Sequence, residues 1–461
     1  MKSIKVLSIL IFVGAFISFS NSSFAQSPAG IANCSSAGFD SQSYIDANFG
    51  LSKIGDQTYF GFRFQPELAI GKVGFGLDVP LMFNIEDGSI RTEEFKGGTG
   101  ALRLIRYVRY GRKKQDPIHV KVGDLTGSYI GFGILVNNYS NSISYEKRKT
   151  GISYDILIKD RFGIEGLYSD FDASSLNLLA VRPYFKPFGH TSIPIVKTIE
   201  IGATYVTDHD QTASGYDYPT NRFLEDGFDA YSADIGLFFL NTSFIDLTGY
   251  CQYGLLTKNK LLENELAKIY SPLFQKYDKG DGISVGLASR MNIIGNVFVL
   301  NARIERLWYS DCFIPQFFDA VYEINKDAKL YSLASSEKLQ GIYGSLFATL
   351  IDKIHVGGSI LLPDNVSETS PALLQLSAEA PNLIPKFMLS AHYLKGNIAD
   401  LSDALVIDEN SIATVRVAYK ILPFLLAGVD YKWTFLTTED GSFEADHTIM
   451  PYVGLHFPLN F

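Results

Sequence analysis

Few side chains in this sequence are spaced for chemistry, and each set fails for a physical reason. Gly282-Ile283-Ser284-Val285-Gly286 spells the G-x-S-x-G pattern of serine hydrolases. That chemistry needs a strained strand-to-helix turn to lift the serine hydroxyl clear of the sheet. Here period-two alternation continues through Val285, Leu287 and Met291 toward a turn at Gly295, so Ser284 reads as a strand residue. Gly71, Gly74 and Gly76 could cradle a phosphate only at a helix start, and the pattern that follows them is a strand. Asp208-His209-Asp210 could hold a divalent ion only with outside ligands and reads better as a solvated turn. The seven histidines (119, 190, 209, 355, 392, 447 and 456) form no i, i+4 pair, and Cys34, Cys251 and Cys312 follow no zinc spacing. The expectation is no enzyme, no metal site and no cofactor.

The remaining charges stand at every second position within apolar runs, so the elements that carry them must be strands. Val73, Phe75, Leu77, Val79, Leu81 and Phe83 alternate with Gly74, Gly76, Asp78, Pro80, Met82 and Asn84. Phe60, Phe62, Phe64, Leu68 and Ile70 oppose Gly61, Arg63, Gln65 and Glu67; Leu425, Ala427, Val429, Tyr431, Trp433 and Phe435 oppose Gly428, Asp430, Lys432 and Thr434. Composition agrees: of 461 residues, 46% are apolar and 13% aromatic, which excludes a disordered chain. With 40 Lys+Arg against 49 Asp+Glu the net charge is −9, which argues against a nucleic-acid partner.

The N-terminus reads as an address. Lys2 and Lys5 precede an apolar run from Val6 to Phe19, and Ser23-Phe24-Ala25 offers a cleavage site, so residues 1–25 are expected to be a signal peptide cut after Ala25. Cys34 stands too far beyond that run, and after Asn33, for a lipid anchor. In an oxidising compartment, three cysteines leave at least one thiol unpaired or bonded between chains. Residues 26–42 would be a short periplasmic segment and 43–461 the folded body. No later segment has 18 uninterrupted apolar residues, so any membrane crossing must use strands.

About twenty alternating runs follow one another from residue 43 to the C-terminus. Short connections, such as 71–74, 159–161, 292–296, 351–353 and 421–423, alternate with long polar ones at 85–98, 124–149, 207–227, 256–280, 310–339, 395–410 and 436–446. Segregation of turns to one end and loops to the other predicts a closed antiparallel transmembrane β-barrel. An even number of about 18–20 strands is expected, since both ends of the chain lie on the periplasmic side. A propeller would need an internal repeat, and none is present. Arg106 and Arg306 fall on the apolar face, which predicts either a rim position or a bulge.

The last strand places Val453, Leu455, Phe457, Leu459 and Phe461 at every second position up to the final residue. Phe457, Leu459 and Phe461 resemble the C-terminal signal that the barrel-assembly machinery reads in Gram-negative outer-membrane β-barrels. Arg182-Pro183-Tyr184-Phe185-Lys186-Pro187 and Val136-Asn137-Asn138-Tyr139-Ser140-Asn141 resemble stretches of an uncharacterised porin-like family of Bacteroidetes-type bacteria. The resemblance implies an outer-membrane location and a barrel fold, and no substrate.

If the apolar face meets lipid, the opposite face lines a lumen. The expected pore lining is Arg63, Glu67, Asp78, Arg103, Arg290, Arg303, Glu305, Arg416, Asp430 and Lys432. Loop 124–149 is too apolar to stand in water, and its Tyr129, Phe132, Leu135 and Tyr139 are expected to fold inward as a constriction. Residues 260–274, and 310–322 with Asp311 as cap and Phe317, Phe318, Val321 and Tyr322 as a stripe, are expected to be short helices over the mouth. The function expected is a porin-like channel for passive or weakly selective diffusion of small solutes. Lipid, the assembly machinery during biogenesis, and room for homo-oligomers complete the expected partners. The alternatives are a barrel anchor whose loops bind a partner in secretion or surface assembly, a rim enzyme, and a soluble secreted β-protein.

Overall fold

The computed structural model describes residues 43–459, apart from short breaks and the stretches 93–103, 143–148, 172–176, 210–227, 258–278, 381–385, 407–410 and 438–442, with 320–335 described in part. Residues 1–42, with the expected signal peptide, and also Arg103, Phe461 and the 260–274 pattern, lie outside the described residues.

The alternating runs form β1 (Ser43–Ile54), β2 (Gln57–Ile70), β3 (Val73–Leu77), β4 (Val79–Asn84), β5 (Ile105–Tyr110), β6 (Ile118–Gly123) and β7 (Gly151–Ile158). Next come β8 (Phe162–Tyr168), β9 (Leu179–Phe185), β10 (Glu200–Asp208), β11 (Phe228–Asn241), β12 (Ile245–Leu256), β13 (Gly280–Asn296) and β14 (Phe298–Tyr309). The series ends with β15 (Leu339–Leu350), β16 (Ile354–Pro363), β17 (Ala372–Ala380), β18 (Phe387–Ile398), β19 (Ser411–Leu422), β20 (Leu425–Thr437) and β21 (Phe443–Leu459). All 21 segments belong to one antiparallel sheet. β3 and β4 pair with successive parts of β2, Ile70↔Val73 to Glu67↔Gly76 and then Phe64↔Val79 to Tyr59↔Asn84. They are one stave broken at Asp78, so the 21 segments make twenty staves.

β1, whose alternation is the least regular, closes the sheet on β21, from Ser43↔Leu459 to Gly50↔Tyr452. Antiparallel closure requires an even number of staves, and closure removes the edge whose unpaired N–H and C=O groups cannot exist in hydrocarbon. No helix among the described residues is long and apolar enough to cross a membrane.

The faces sort as a bilayer demands. On β14, the inward residues Asn301, Arg303 and Glu305 are each 4% exposed, while outward Ile304 is 55% exposed. Ile201, Ile235, Leu287, Leu346 and Val417 continue the exposed apolar belt on other strands. An apolar surface of this extent is incompatible with water. The packed core lies inside the barrel.

Both arginines on the apolar face are resolved by geometry. The β3–β5 register slips between Gly76 and Leu77, opposite Tyr107 and Ile105, and the bulge frees Arg106 to reach the inward Glu67. Arg306 stays outside near the long-loop rim, where Nη1 and Nη2 donate to Asp364 at 2.5 and 2.6 Å.

The division of connections is less strict than the alternation suggests. At the short-turn end the chain between β9 and β10 runs from 186 to 199 with a single turn of 3-10 helix at Val196–Thr198, while at the long-loop end β1 and β2 are joined by residues 55–56 alone. The expected helix over 310–322 is not formed among the described residues: 310–319 is turn and irregular chain, and one 3-10 turn follows at Tyr322–Ile324. Cys251 and Cys312 are both free thiols.

Candidate functional site

The lumen is built by two connections that turn inward. The first begins at Asp124, whose carboxylate accepts from Thr126 N at 2.7 Å and so starts a turn. Ser128 and Tyr139 then pair antiparallel, and Ile130 N donates to Val136 O at 3.1 Å, making a small hairpin. Asn141 staples its base, accepting from Leu125 N at 2.8 Å and donating to Ser169 O at 2.9 Å. At the tip, Gly131 has φ +59°, and a Cβ there would lie 3.0 Å from Asp234 Oδ2, so only glycine fits both the backbone and the space.

The hairpin is hydrogen-bonded to several staves at once. Gly131 N donates to Glu165 at 3.2 Å, Ile134 N donates to Gln252 Oε1 at 3.1 Å, and Arg303 donates to Phe132 O at 3.3 Å. The Phe132 ring stacks on Tyr250 with centroids 4.7 Å apart, and it fills the space above Gly236, where a Cβ would meet it at 2.2 Å. Tyr129 and Phe132 are each 6% exposed, Leu135 1% and Tyr139 0%.

The second insert is the 310–338 connection. Gln316 N donates to Ile134 O at 2.7 Å and Phe318 N to Leu135 O at 3.0 Å, which adds it alongside the hairpin in parallel. Phe317, Phe318 and Tyr322 are buried with Phe228 of β11 rather than arrayed over the mouth. Lys326 meets Asp208 at 2.6 Å, Lys149 meets Glu323 at 2.8 Å, and Tyr322 donates to Asp208 at 2.8 Å. Burial alone would raise the Glu323 pKa, but Lys326 and Lys149 outweigh it and hold that carboxyl below the usual range.

Below the hairpin tip lies a buried ionic cluster. Arg182 of β9, fully buried, donates to Glu165 at 2.7 Å, Glu200 at 3.0 Å and Asp234 at 2.8 Å. Lys113 and Lys114, from the short turn between β5 and β6, reach Glu165 at 2.9 and 3.2 Å. Lys113 also donates to Tyr129 O, so the hairpin entering from the loop end is tied to a turn of the opposite end. Burial pulls the Lys113 ammonium below the ordinary lysine pKa, against the opposing pull of Glu165.

Among the described residues, no insert covers the opposite wall in this way. Across β15–β17, Ser345, Ser359 and Gln375 are register partners on the inner face, followed by the level of Phe347, Gly357 and Ser377 and then by that of Thr349, His355 and Glu379. Ser359, Gln375, His355 and Glu379 are only half-buried, and Arg416 on β19 is exposed.

The expected pore-lining residues therefore divide. Glu67, Asp78, Arg303 and Glu305 face inward, but none is more than 4% exposed. Tyr107 donates to Glu67 at 2.6 Å, and Arg303 pairs with Glu305 against the hairpin. Arg290 is half-buried opposite Asp246. The side chains of Arg63, Asp430, Lys432, Phe457 and Leu459 lie outside the described residues; their backbones pair within the sheet. The sequence pattern did not single out Lys113 and Lys114, because turn lysines ordinarily stay in water. It also passed over Arg182 as a lumen residue, although that arginine has the inward parity of Ala180 and Tyr184.

Ser284 is fully buried in mid-strand and accepts from Gln252 Nε2 at 2.9 Å. Among the described residues no three His, Cys, Asp or Glu side chains are grouped to hold a metal ion.

No protein-family model matches the chain, and no curated protein matches it. Among solved structures it is similar to Pseudomonas aeruginosa OccK11 (OpdR), at 13% identity over 92% of this chain and 97% of that one, with a TM-score of 0.34. It is also similar to the Pseudomonas aeruginosa ferric enterobactin receptor PfeA, at 9% identity over 91% and 82%, TM-score 0.38, and to Salmonella typhi OmpF, at 11% over 91% and 99%, TM-score 0.31. The barrel assignment stands on the closed strand ladder of this chain itself.

Proposed function

We propose that this chain is a porin-like channel of a Gram-negative outer membrane, passing small solutes along the uncovered wall of β15–β19. The observation that carries the reading is the contrast between the two walls. Among the described residues, inward Glu165, Arg182, Asp234, Arg303 and Glu305 are sealed by the hairpin and the 310–338 insert, whereas Ser359, Gln375, His355 and Glu379 are half-buried and Arg416 is exposed inside a closed barrel. Water in a barrel of this stave number satisfies such groups without a protein partner. The hairpin residues Tyr129, Phe132, Leu135 and Tyr139 are the constriction that confines the path, and Arg416 is a wall charge that permeating ions meet.

The test is single-channel conductance of the purified protein in planar bilayers. The reading expects discrete conductance, and a reversal potential in a salt gradient that shifts toward cation preference in Arg416→Glu. A protein that inserts but carries no current overturns it. The second reading is a plugged barrel anchor, supported by the ion pairs that fasten both inserts, and it expects zero current together with a partner bound to the long loops.

A further inference from the structure

We infer that the uncovered wall is a binding track for neutral polyhydroxylated solutes, that is, saccharides. This rests on the channel reading and names the class of solute for that same path.

The composition of the track is unlike the rest of the lumen. On the sealed side, Arg182, Arg303, Glu165 and Glu305 meet as ion pairs. On the open side, the middle level is Ser345↔Ser359↔Gln375, all hydroxyl or carboxamide. The next level carries Phe347↔Gly357↔Ser377↔His392, and the pairing is continuous across β15, β16, β17 and β18. Adjacent strands are about 4.8 Å apart, so these groups repeat at a spacing comparable with that of successive rings in a saccharide chain.

Their bonding fits the same ligand. Ser359 Oγ donates to Gln375 Oε1 at 3.2 Å, which sets a hydroxyl and a carboxamide, together carrying donors and acceptors, side by side. A polyol needs both roles together, because each hydroxyl donates and accepts. An ion needs only one of the two roles, and an excess of one charge sign would serve it better.

The aromatic ring decides between a merely wet wall and a sugar track. Phe347 is half-buried on the inner face, and its ring edge occupies the space beside Gly357, where a Cβ would meet Cδ1 at 2.5 Å. The glycine lets the ring settle against the strand instead of standing into the lumen. A ring seated among hydroxyl groups offers the apolar face of a pyranose a stacking surface, while the polar flanks take its hydroxyls.

The experiment measures ion current through the reconstituted protein while maltotriose is added, with glycine betaine at matched viscosity as the comparison solute. Saturable block by maltotriose, absent with betaine, is the expected result. Phe347→Ala should raise the half-blocking concentration at least tenfold, and Ser359→Ala several-fold, each read as fractional block of that variant's own sugar-free current. Current that falls only in step with viscosity in the wild-type protein overturns the inference while leaving the channel reading intact. No current at all overturns the channel reading and this inference with it. If Phe347→Ala fails to assemble, the wild-type dose curve and Ser359→Ala still decide the matter.

Discussion

Arg182 is the point at which the ionic lumen can be tested most sharply. It is fully buried and its guanidinium serves three carboxylates, those of Glu165, Glu200 and Asp234. Replacing it by methionine keeps the volume and removes the charge. Glu165 and Glu200 retain Lys114 at 3.2 and 3.8 Å, but Asp234 loses the cation that holds it. Removing one partner of a buried pair costs about 3–5 kcal/mol, because the remaining charge stays desolvated and uncompensated. At an m-value of about 3 kcal/mol/M, the urea midpoint should fall by about 1–2 M. The assay is urea unfolding of the protein in lipid vesicles, followed by fluorescence of Trp308 and Trp433, with Arg306→Met as the control. Arg306 also contacts a carboxylate, that of Asp364, but at the exposed rim, where water screens the pair, so the control should move the midpoint little. Adding Asp234→Asn to Arg182→Met should recover part of the loss. An Arg182→Met midpoint equal to wild type, or no lower than that of the control, would refute the reasoning.

Other consequences can be measured separately. Gly236→Ala drives a methyl into the Phe132 ring and should unseat it from Tyr250, at a cost of about 1–3 kcal/mol and with a larger, noisier conductance. Phe317→Ala removes the centre of the insert cluster and should cost about 3–5 kcal/mol, read as new protease cleavage within 310–338 in folded protein. Lys113→Ala unties the hairpin from the short turn and should raise open-channel current more than it changes the unfolding midpoint. The Glu323 carboxyl has a folded pKa below its ordinary 4.5, so the stability it contributes is complete above that value and is lost as pH falls through the lower one. Protease sensitivity of 310–338 should therefore rise below about pH 4.5 in wild-type protein and stay flat in Glu323→Gln.

Much of the architecture was legible without the third dimension, because strand alternation is a local property. Each residue of β14 takes its face from parity alone, and a bilayer enforces that parity at every stave. The same logic picked out Arg106 and Arg306 as misplaced and named the two remedies, a bulge and a rim position, that the protein uses. Apolarity alone likewise marked 124–149 as a connection unable to remain in water.

What the chain's pattern could not convey is which inward groups meet which, and what covers them. Parity placed Arg303, Glu305 and Arg416 on one face without distinguishing them, yet the first two are sealed under Phe132 and the third is open. That difference depends on two inserts of unlike sequence meeting inside the barrel, and on Lys113 reaching in from the opposite end. The sequence by itself determined the closed wall, its even stave number and its apolar exterior, because these follow from nearest-neighbour periodicity and the cost of an unpaired backbone in lipid. Only the tertiary structure decided which half of the lumen is filled, because that rests on contacts between residues far apart in the chain, which no local rule encodes.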